Sequence, residues 1–596
     1  MILRKMAEKD FLAVVAIDIG SAFSGYAYQF REDFEKARTK NIYSCVWRNG
    51  YQAYEKTVSS ILLNPDGSFN SFGFDAENVY AEMFRKNAEK KFQDDKFPDK
   101  SPKDWFLFRN FKMELYGKEV LPRKMKIKDT TGKSFSLRAV FKESIRFFKE
   151  HALGAITRKT TLLPTDISWV LTIPAIWSEP AKQFMRTAAE EAGIPGESLM
   201  LALEPEAAAL FTKEQELIRH TEEERVKLVP FVPNSKFMVV DLGGGTGDIT
   251  VHEVQEDHTL HEINMATGGP WGGNKINEAF LRIWKDILQY EFTECIQNHP
   301  DEILELQQNF ELQKRKIGEE TTNEYLYIPL PECLREVPKI ETKLEGSTKY
   351  PGIRVRRGKV EFPSEMIQDL FMEPIHDING QIGHLLDQRD VDAVILVGGF
   401  SESKLVYKSI KEEIQPSVLI LNPPECGLSV LKGAVLFGFQ PQQISKRVSR
   451  YSYGFSISKP FDPVLYDRER DKFHKFNGQL EDVFFAIVRA GDSVLPNEVR
   501  EYKCRPADFS LDFALVEFYG TLDKDPKYVR DSEVFTPELP CKHIGDIKVE
   551  YGDKSNLDNN EIIVKVVFGF TQLSVSAECS IAGEKKQVNA HFELLK

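Results

Sequence analysis

Two stretches of this chain set carboxylates beside glycine turns. Residues 237–250 read FMVVDLGGGTGDIT: an apolar run ends at Asp241, then come Gly243, Gly244 and Gly245, and Asp248 follows Thr246. Glycine has no Cβ, so its backbone turns tightly and approaches a ligand closely. Consecutive N–H groups in such a turn point at an anion such as phosphate. Carboxylates beside a phosphate repel it unless a divalent cation lies between them, and Mg²⁺ is usually held by one or two carboxylates, waters and phosphate oxygens. These residue types suggest a Mg-nucleotide site, against the alternative of a glycine-rich turn joining two strands.

The pattern occurs twice. Residues 12–28 read LAVVAIDIGSAFSGYAY, with an apolar run ending at Asp18, then Gly20, Ser21, Ala22 and Gly25. Both segments fit strand, aspartate, glycine turn, strand. Two such hairpins predict two related lobes, each offering one loop to one ligand. A third loop, VDAVILVGGFSESKL (391–405), carries Gly398 and Gly399, and a helix start follows with Ser401 as a possible N-cap. It is suited to the sugar or base end of a nucleotide.

These loops need strands and helices to hold them. Apolar spacing predicts a helix over 137–158, a strand, turn and helix over 168–194, and a strand running into an Ala-rich helix over 199–211. Residues 213–229 are strongly charged and read as a solvated helix. Long helices are expected in 274–320 and 365–388, and a loop and helix in 422–439. Residues 325–362 read as irregular, with the basic run IRVRRGKV as a surface loop. QPQQISKRVSRYSYG reads as a linker, and β-type runs separated by turn residues follow it. Tyr451 and Tyr453 read as exposed aromatics of that β-rich part.

Length and composition bound the rest. The chain has 596 residues, enough for several domains, and 42% of them are hydrophobic. Its net charge of −13 argues against general binding to nucleic acid or anionic membranes. Seven scattered cysteines, with no CxxC pair, fit a reducing compartment and buried thiols. No signal peptide and no membrane span is read, so a cytoplasmic location is expected. The histidines show no metal spacing, and no zinc is expected.

Seven motifs in order carry a family resemblance: AIDIGSAFSGYA, VLTIPAIWSEPAKQFMRTAAEEAG, LALEPEAAAL, VVDLGGGTGDIT, GGPWGGNKIN, ELQKRKIGEE and VILVGGFSES. Together they resemble the heat-shock 70 kDa protein family, of the actin and sugar-kinase superfamily, and in particular its divergent 12A/12B branch. The resemblance implies an α/β protein: a tail (1–10), a two-lobed actin-like ATPase domain (11–440), a linker (441–455) and a smaller, mainly β, sandwich-like domain without a helical lid (456–596). It implies ATP or ADP with Mg²⁺ in an interlobe cleft.

Roles then follow by matching positions. Asp18 and Asp241 match the aspartates around Mg²⁺ and its waters. Gly20, Ser21 and Ala22 match the first phosphate loop, although the family usually has two threonines where this chain has Ser21 and Ala22. Gly243, Gly244, Gly245 and Thr246 match the second loop. Lys112, in RNFKMELYG, is the candidate for the lysine that orients the attacking water. Glu204 matches the glutamate near the metal and that water, and Asp248 a further cleft carboxylate. Glu311, Lys314 and Arg315 match the helix lining the adenosine pocket, and their spacing puts them on one helix face. Gly272, Gly273, Gly398 and Gly399 match glycines around the nucleoside. Phe400, Ser401 and Glu402 stand where the family has a stacking arginine. Pro174 matches a proline of interdomain signalling, whose arginine partner is Lys182 here.

The resemblance implies an atypical chaperone-like protein that slowly hydrolyses Mg-ATP and binds a client protein, a peptide or another ligand through its β-domain. Co-chaperones or nucleotide-exchange factors are its implied partners. The alternatives are a nucleotide-holding scaffold or a lectin-like or immune recognition protein with little ATP turnover, and a small-molecule (sugar) kinase on the same fold.

Overall fold

The computed structural model describes residues 11–593 except 94–100, 120, 123, 216–217, 221–224, 228–230, 319–323, 463, 465–474, 477–478, 506–512, 530–540, 551–561, 582–583 and 589–591. Strand β1 (Ala13–Asp18), AVVAID, is buried along its whole length. Such a strand has partners on both edges and cover on both faces, so it reads as an unbroken apolar run. On one edge it pairs antiparallel with β2 (Phe23–Phe30), which sets Asp18 opposite Gly25. On the other it pairs parallel with β3 (Ile167–Ile173), which in turn pairs parallel with β4 (Leu199–Leu203).

The second sheet repeats the arrangement. Strand β5 (Lys236–Leu242) pairs antiparallel with β6 (Gly247–Val254), setting Asp241 opposite Asp248. Strand β6 continues to β7 (Leu260–Gly269), and β5 pairs parallel with β8 (Ala393–Val397). The sheet closes with β9 (Leu419–Leu421) beside β8 and β10 (Ile444–Val448) beside β7. In both sheets a buried strand carries an aspartate at its C-terminal end before a hairpin turn, Asp18 as the last residue of β1 and Asp241 as the last but one of β5.

Helix α1 (Glu204–Glu214) leaves β4 without a loop. Helix α2 (Pro300–Lys314) covers the second sheet together with helices Asn274–Leu288 and Met372–Gln388. Helix α3 (Ser429–Phe439) packs with α1 in a core shared by both sheets: Val14, Ala16 and Val170 from the first, Val239 and Ile395 from the second, Ala207 and Leu431 from the helices. A Cβ at Gly433 would stand 1.7 Å from the Ala207 carbonyl oxygen, so the helices touch backbone to backbone. Glycine inside a helix costs about 1 kcal/mol relative to alanine. Here it permits the approach, and the small side chains of EPEAAAL do the same from α1.

Beyond β10 all strand pairs among the described residues are antiparallel. One sheet contains Ser452–Pro460, Gln479–Val488, Phe513–Thr521 and Lys542–Glu550, the other Glu498–Cys504, Ile562–Phe568 and Leu573–Ile581. Phe455, Phe518 and Ile547 from the first share a core with Val564, Val566 and Ala577 from the second. The turn at 570–573 seats these strands on the first sheet and its helix. Phe570 joins the core between the two N-terminal sheets, its ring edge-on to Phe437 at 6.4 Å. Thr571 Oγ1 donates to the Leu201 carbonyl at 2.8 Å, and Leu573 N–H to Glu179 Oε2 at 3.0 Å.

Several expectations are corrected. The segment 441–455 is not a free linker: β10 extends the second sheet, pairing parallel with β7, and Ser452–Pro460 is already a strand. Within 213–229 the helix ends at Glu214, and Ile218–His220 pairs with Arg225–Lys227. Residues 325–362 hold a three-stranded sheet, Tyr325–Pro329, Lys359–Pro363 and Arg354–Arg356, so the basic run is a hairpin. Ser401 caps no helix; its hydroxyl donates back to the Val397 carbonyl at 2.5 Å, and the helix starts at Lys404. Tyr453 is buried. Cys295 and Cys333 form a disulfide, with Cα atoms 6.0 Å apart, where seven free thiols were expected. His543 is not isolated: its Nε2 lies 2.5 Å from Asp546 Oδ1, with Glu517 beside them. No helix among the described residues is long and apolar enough to cross a membrane.

Candidate nucleotide cleft

The ends of β1 and β5 face one cleft of about 420 Å³. It is lined by Asp18, Gly20, Ser21, Ala22, Lys112, Glu204, Asp241, Gly243, Gly244, Gly245, Thr246, Gly273, Glu311, Lys314, Arg315, Gly398 and Gly399. Of the residues selected from sequence, Gly272 and Asp248 stand behind this lining. The Gly272 N–H donates to the Gly245 carbonyl at 3.2 Å, and Asp248 accepts from the Ile176 N–H at 3.1 Å. Both support the loops from outside the cleft.

The two glycine turns abut each other. A Cβ at Gly244 would lie 2.4 Å from Ala22 Cβ, and one at Gly245 would lie 2.4 Å from Ser21 Oγ. A Cβ at Gly20 would lie 2.1 Å from the Phe23 carbonyl oxygen. Glycine is needed here for space. The second loop is braced by segment 272–274: Gly273 N–H donates to the Gly243 carbonyl at 3.2 Å and Asn274 N–H to the Gly244 carbonyl at 2.7 Å. Gly398 of the third loop has φ +84°, and a Cβ there would meet the Leu242 carbonyl at 2.4 Å and Asp241 Oδ1 at 2.5 Å.

Charge is concentrated beside these turns. Lys112, buried on the short helix Phe111–Leu115, lies 2.5 Å from Glu204 Oε1 and over the Trp177 ring. Burial pushes Glu204 up to about 7, with Asp18 and Asp248 adding to it against the pull of Lys112. Burial also raises Asp241 well above the carboxylate range, reinforced by Glu204 and Asp248. At Asp18 burial again opposes ionisation, but Lys56 and Lys112 outweigh it together and hold the carboxyl below its ordinary value. Its Oδ1 accepts from Thr172 Oγ1 at 2.7 Å, and its Oδ2 pairs with Lys56 Nζ at 2.8 Å.

At the other end Glu311 bridges two cations, Lys314 at 2.6 Å and Arg315 at 3.0 Å. Burial would raise Glu311, yet Lys314 and Arg315 bring it down to about 2. Lys314 is committed to the protein: it also donates to the Gly273 carbonyl at 3.1 Å and Asn277 Oδ1 at 2.9 Å. Arg315 sits over the Phe23 ring at 4.9 Å, reaching from the end of α2 to the start of β2. Phe400 lines the wall beside Gly273, with its ring 6.3 Å from Phe371.

Sequence reasoning missed Lys56, Phe23, Tyr54, Phe371 and Asn274, which also line the cleft. Phe23 and Asn274 stand inside the motifs AIDIGSAFSGYA and GGPWGGNKIN, and the other three lie in none of the seven motifs.

The site fits a polyphosphate with a hard divalent cation on two counts. Asp18, Glu204 and Asp241 offer oxygen donors of the kind Mg²⁺ takes. Asn274 Nδ2, beside the second glycine turn, is buried with no acceptor among the described residues, and a buried donor left unpaired costs about 1–3 kcal/mol.

Residues 155–438 match the family model described as Hsp70 protein. The human heat shock 70 kDa protein 12B is 30% identical over 594 residues, spanning 89% of this chain and 84% of that protein. The human heat shock 70 kDa protein 12A is 28% identical over 636 residues, spanning 96% and 90%. The mitochondrial-type heat shock protein 70 of Encephalitozoon cuniculi is 28% identical over 294 residues, spanning 48% and 44%.

Proposed function

The chain belongs to the heat-shock 70 kDa protein family, alongside its 12A and 12B members, and from this premise we propose that it is an atypical chaperone-like protein that binds and slowly hydrolyses Mg-ATP. The observation that carries the reading is the convergence of three glycine turns with the carboxylates of Asp18, Glu204 and Asp241 on one cleft. The two halves act as two lobes closing on ATP. The strands after residue 456 act as a β-domain that takes a client protein, a peptide or another ligand, and co-chaperones or exchange factors act on the cycle in the cytoplasm.

The residues divide the work by chemistry. N–H groups of Gly20–Ala22 and Gly244–Thr246 hold phosphate oxygens, while the Gly243 N–H closes the second turn by donating to the Thr246 carbonyl at 2.9 Å. Asp18 and Asp241 would hold Mg²⁺, which would supply positive charge between phosphate and carboxylates. Lys112 orients the attacking water and offsets charge that develops at the γ-phosphate, with Glu204 beside the metal and that water. Catalysis of this type is positioning plus electrostatic stabilisation. Glu311, Arg315 and Phe400 border the nucleoside. Coupling to the β-domain runs through Pro174, Lys182 and Glu179. Lys182 Nζ pairs with Glu179 Oε1 at 2.8 Å while the other oxygen of Glu179 accepts from Leu573.

A second reading, nucleotide held with little turnover, is favoured by Ala22, which lacks the hydroxyl of the family pattern, and by the tie between Lys112 and Glu204. Single-turnover hydrolysis of ATP with Mg²⁺, following bound nucleotide and released phosphate together, separates the two. Slow phosphate release that falls on the order of 10²-fold in Asp241→Asn supports the switching ATPase. Tight binding without release supports the holding protein, and no binding ends both.

A further inference from the structure

Lys56 belongs to none of the glycine turns, yet the fold brings it to Asp18. It precedes the short strand Thr57–Val58, which pairs with the start of β2. Its stem runs over Gly25: a Cβ built there would meet Lys56 Cγ at 3.1 Å. Gly25 is also the residue directly opposite Asp18 in the β1–β2 ladder. Glycine therefore leaves open the track along which a side chain from outside the ladder reaches the aspartate. The Lys56 ammonium ends 2.8 Å from Asp18 Oδ2, with the two side chains 17% and 8% exposed.

An ammonium has three donors, and Asp18 takes one. The group lines the same cleft as Ser21, Ala22 and Gly244. Lysine binds phosphate as a compact point charge without fixed directional demands. Asp18 thus has a cation partner built into the protein. A phosphate entering between the loops meets positive charge from Lys56 as well as from Lys112.

We propose that Lys56 is a phosphate-positioning residue that serves as a resident cation of the cleft, so that the chain binds a nucleoside triphosphate without a divalent metal. This rests on the nucleotide reading given above. Mg²⁺ then adds to binding instead of being its precondition, and Gly25 matters because it keeps the lysine in reach.

The test is equilibrium dialysis of radiolabelled ATP against the full chain, in Mg²⁺ and in EDTA, for wild type, Lys56→Met, Lys56→Arg and Gly25→Ala. Wild type is expected to bind in both media. Losing one charge-assisted contact to phosphate weakens binding about 10- to 100-fold, so Lys56→Met is expected to lose that much in EDTA and less in Mg²⁺. Lys56→Arg keeps the charge and is expected to retain binding in EDTA. Gly25→Ala keeps the lysine but displaces its stem, and is expected to shift in the same direction as Lys56→Met, which holds the test open if that variant fails to fold. Wild type that binds in Mg²⁺ but not in EDTA overturns the inference and leaves the nucleotide reading standing. So does an unchanged ratio of the two affinities in both Lys56→Met and Gly25→Ala. Wild type that binds ATP in neither medium overturns both.

Discussion

Arg447 and Glu206 form a two-pronged ion pair, Nε to Oε1 and Nη2 to Oε2, both at 2.6 Å, with Glu206 wholly buried and Arg447 nearly so. The pair joins β10, the strand leading into the C-terminal sheets, to α1. Glu206 lies two residues beyond Glu204, which lines the cleft. One helix therefore carries a cleft carboxylate at its start and the anchor of the connecting strand one half-turn later.

Removing one partner of a buried pair leaves an uncompensated charge and costs about 3–5 kcal/mol. Arg447→Ala is expected to lower the first urea unfolding transition by that amount. Replacing both partners by apolar residues, Glu206→Leu with Arg447→Met, is expected to recover much of it. Equal loss in the single and double variants would show that the pair's charge is not what holds β10.

Adjacent glycines of the third loop are expected to differ sharply. Gly398 has φ +84° and a backbone oxygen 2.4 Å from any Cβ, whereas a Cβ at Gly399 meets nothing within 4 Å. Backbone regions reserved for glycine cost other residues about 1–3 kcal/mol. Gly398→Ala should lower the melting temperature and weaken ATP binding at least about tenfold. Gly399→Ala should leave both near wild type. Thermal melts and nucleotide titrations of the two variants check the contrast.

The glycine turns were legible because their signal is local: an apolar run, an aspartate and glycines all lie within one short segment, and Asp18, Asp241 and Gly243–Gly245 meet in the cleft as that pattern suggests. Lys56 was not legible, because what brings it to Asp18 is the vacancy over Gly25 and not its own neighbours. Strand β10 was misread for the same reason. ISKRV sets three consecutive polar residues between Ile444 and Val448, with none of the alternation that marks a strand, and its partners Leu260, Glu206 and Glu262 are far away in sequence. The hairpin at 354–363 was hidden by its arginines, which stand on the exposed face while Val360 and Phe362 turn inward. The roles of Lys314 and Asp248 also depended on contacts no spacing records: both are engaged by backbone groups of other elements.

The disulfide ties helix Tyr290–Asn298 to the short helix Glu332–Arg335, with Cys295 and Cys333 38 residues apart. Closing a loop of that length in the unfolded chain is worth about 4 kcal/mol in the chain-entropy account. A non-reducing peptide map should show the linked peptides, and dithiothreitol or Cys295→Ser should lower the unfolding free energy by up to that amount. Free thiols at both positions in the untreated chain would contradict the pairing.

Glu262 on β7 is buried and accepts from the Val448 N–H at 2.8 Å. Burial pushes its carboxyl up to about 8, Glu206 of α1 adds to this, and the Val448 N–H, Arg447 of β10 and Lys182 oppose it. The folded value thus lies above the ordinary 4.5. Between these two values the native state keeps a proton that the unfolded chain releases, so its contribution to stability falls as pH rises through the interval and levels off above about 8. Glu262→Gln carries no titrating group and keeps an oxygen for Val448. Its stability should therefore decline less than that of wild type from pH 5 to 8, and the two curves should run parallel above that range. Urea unfolding of both proteins across pH 5–9 measures the difference directly, and curves that run parallel throughout would mean Glu262 is already ionised in the folded protein.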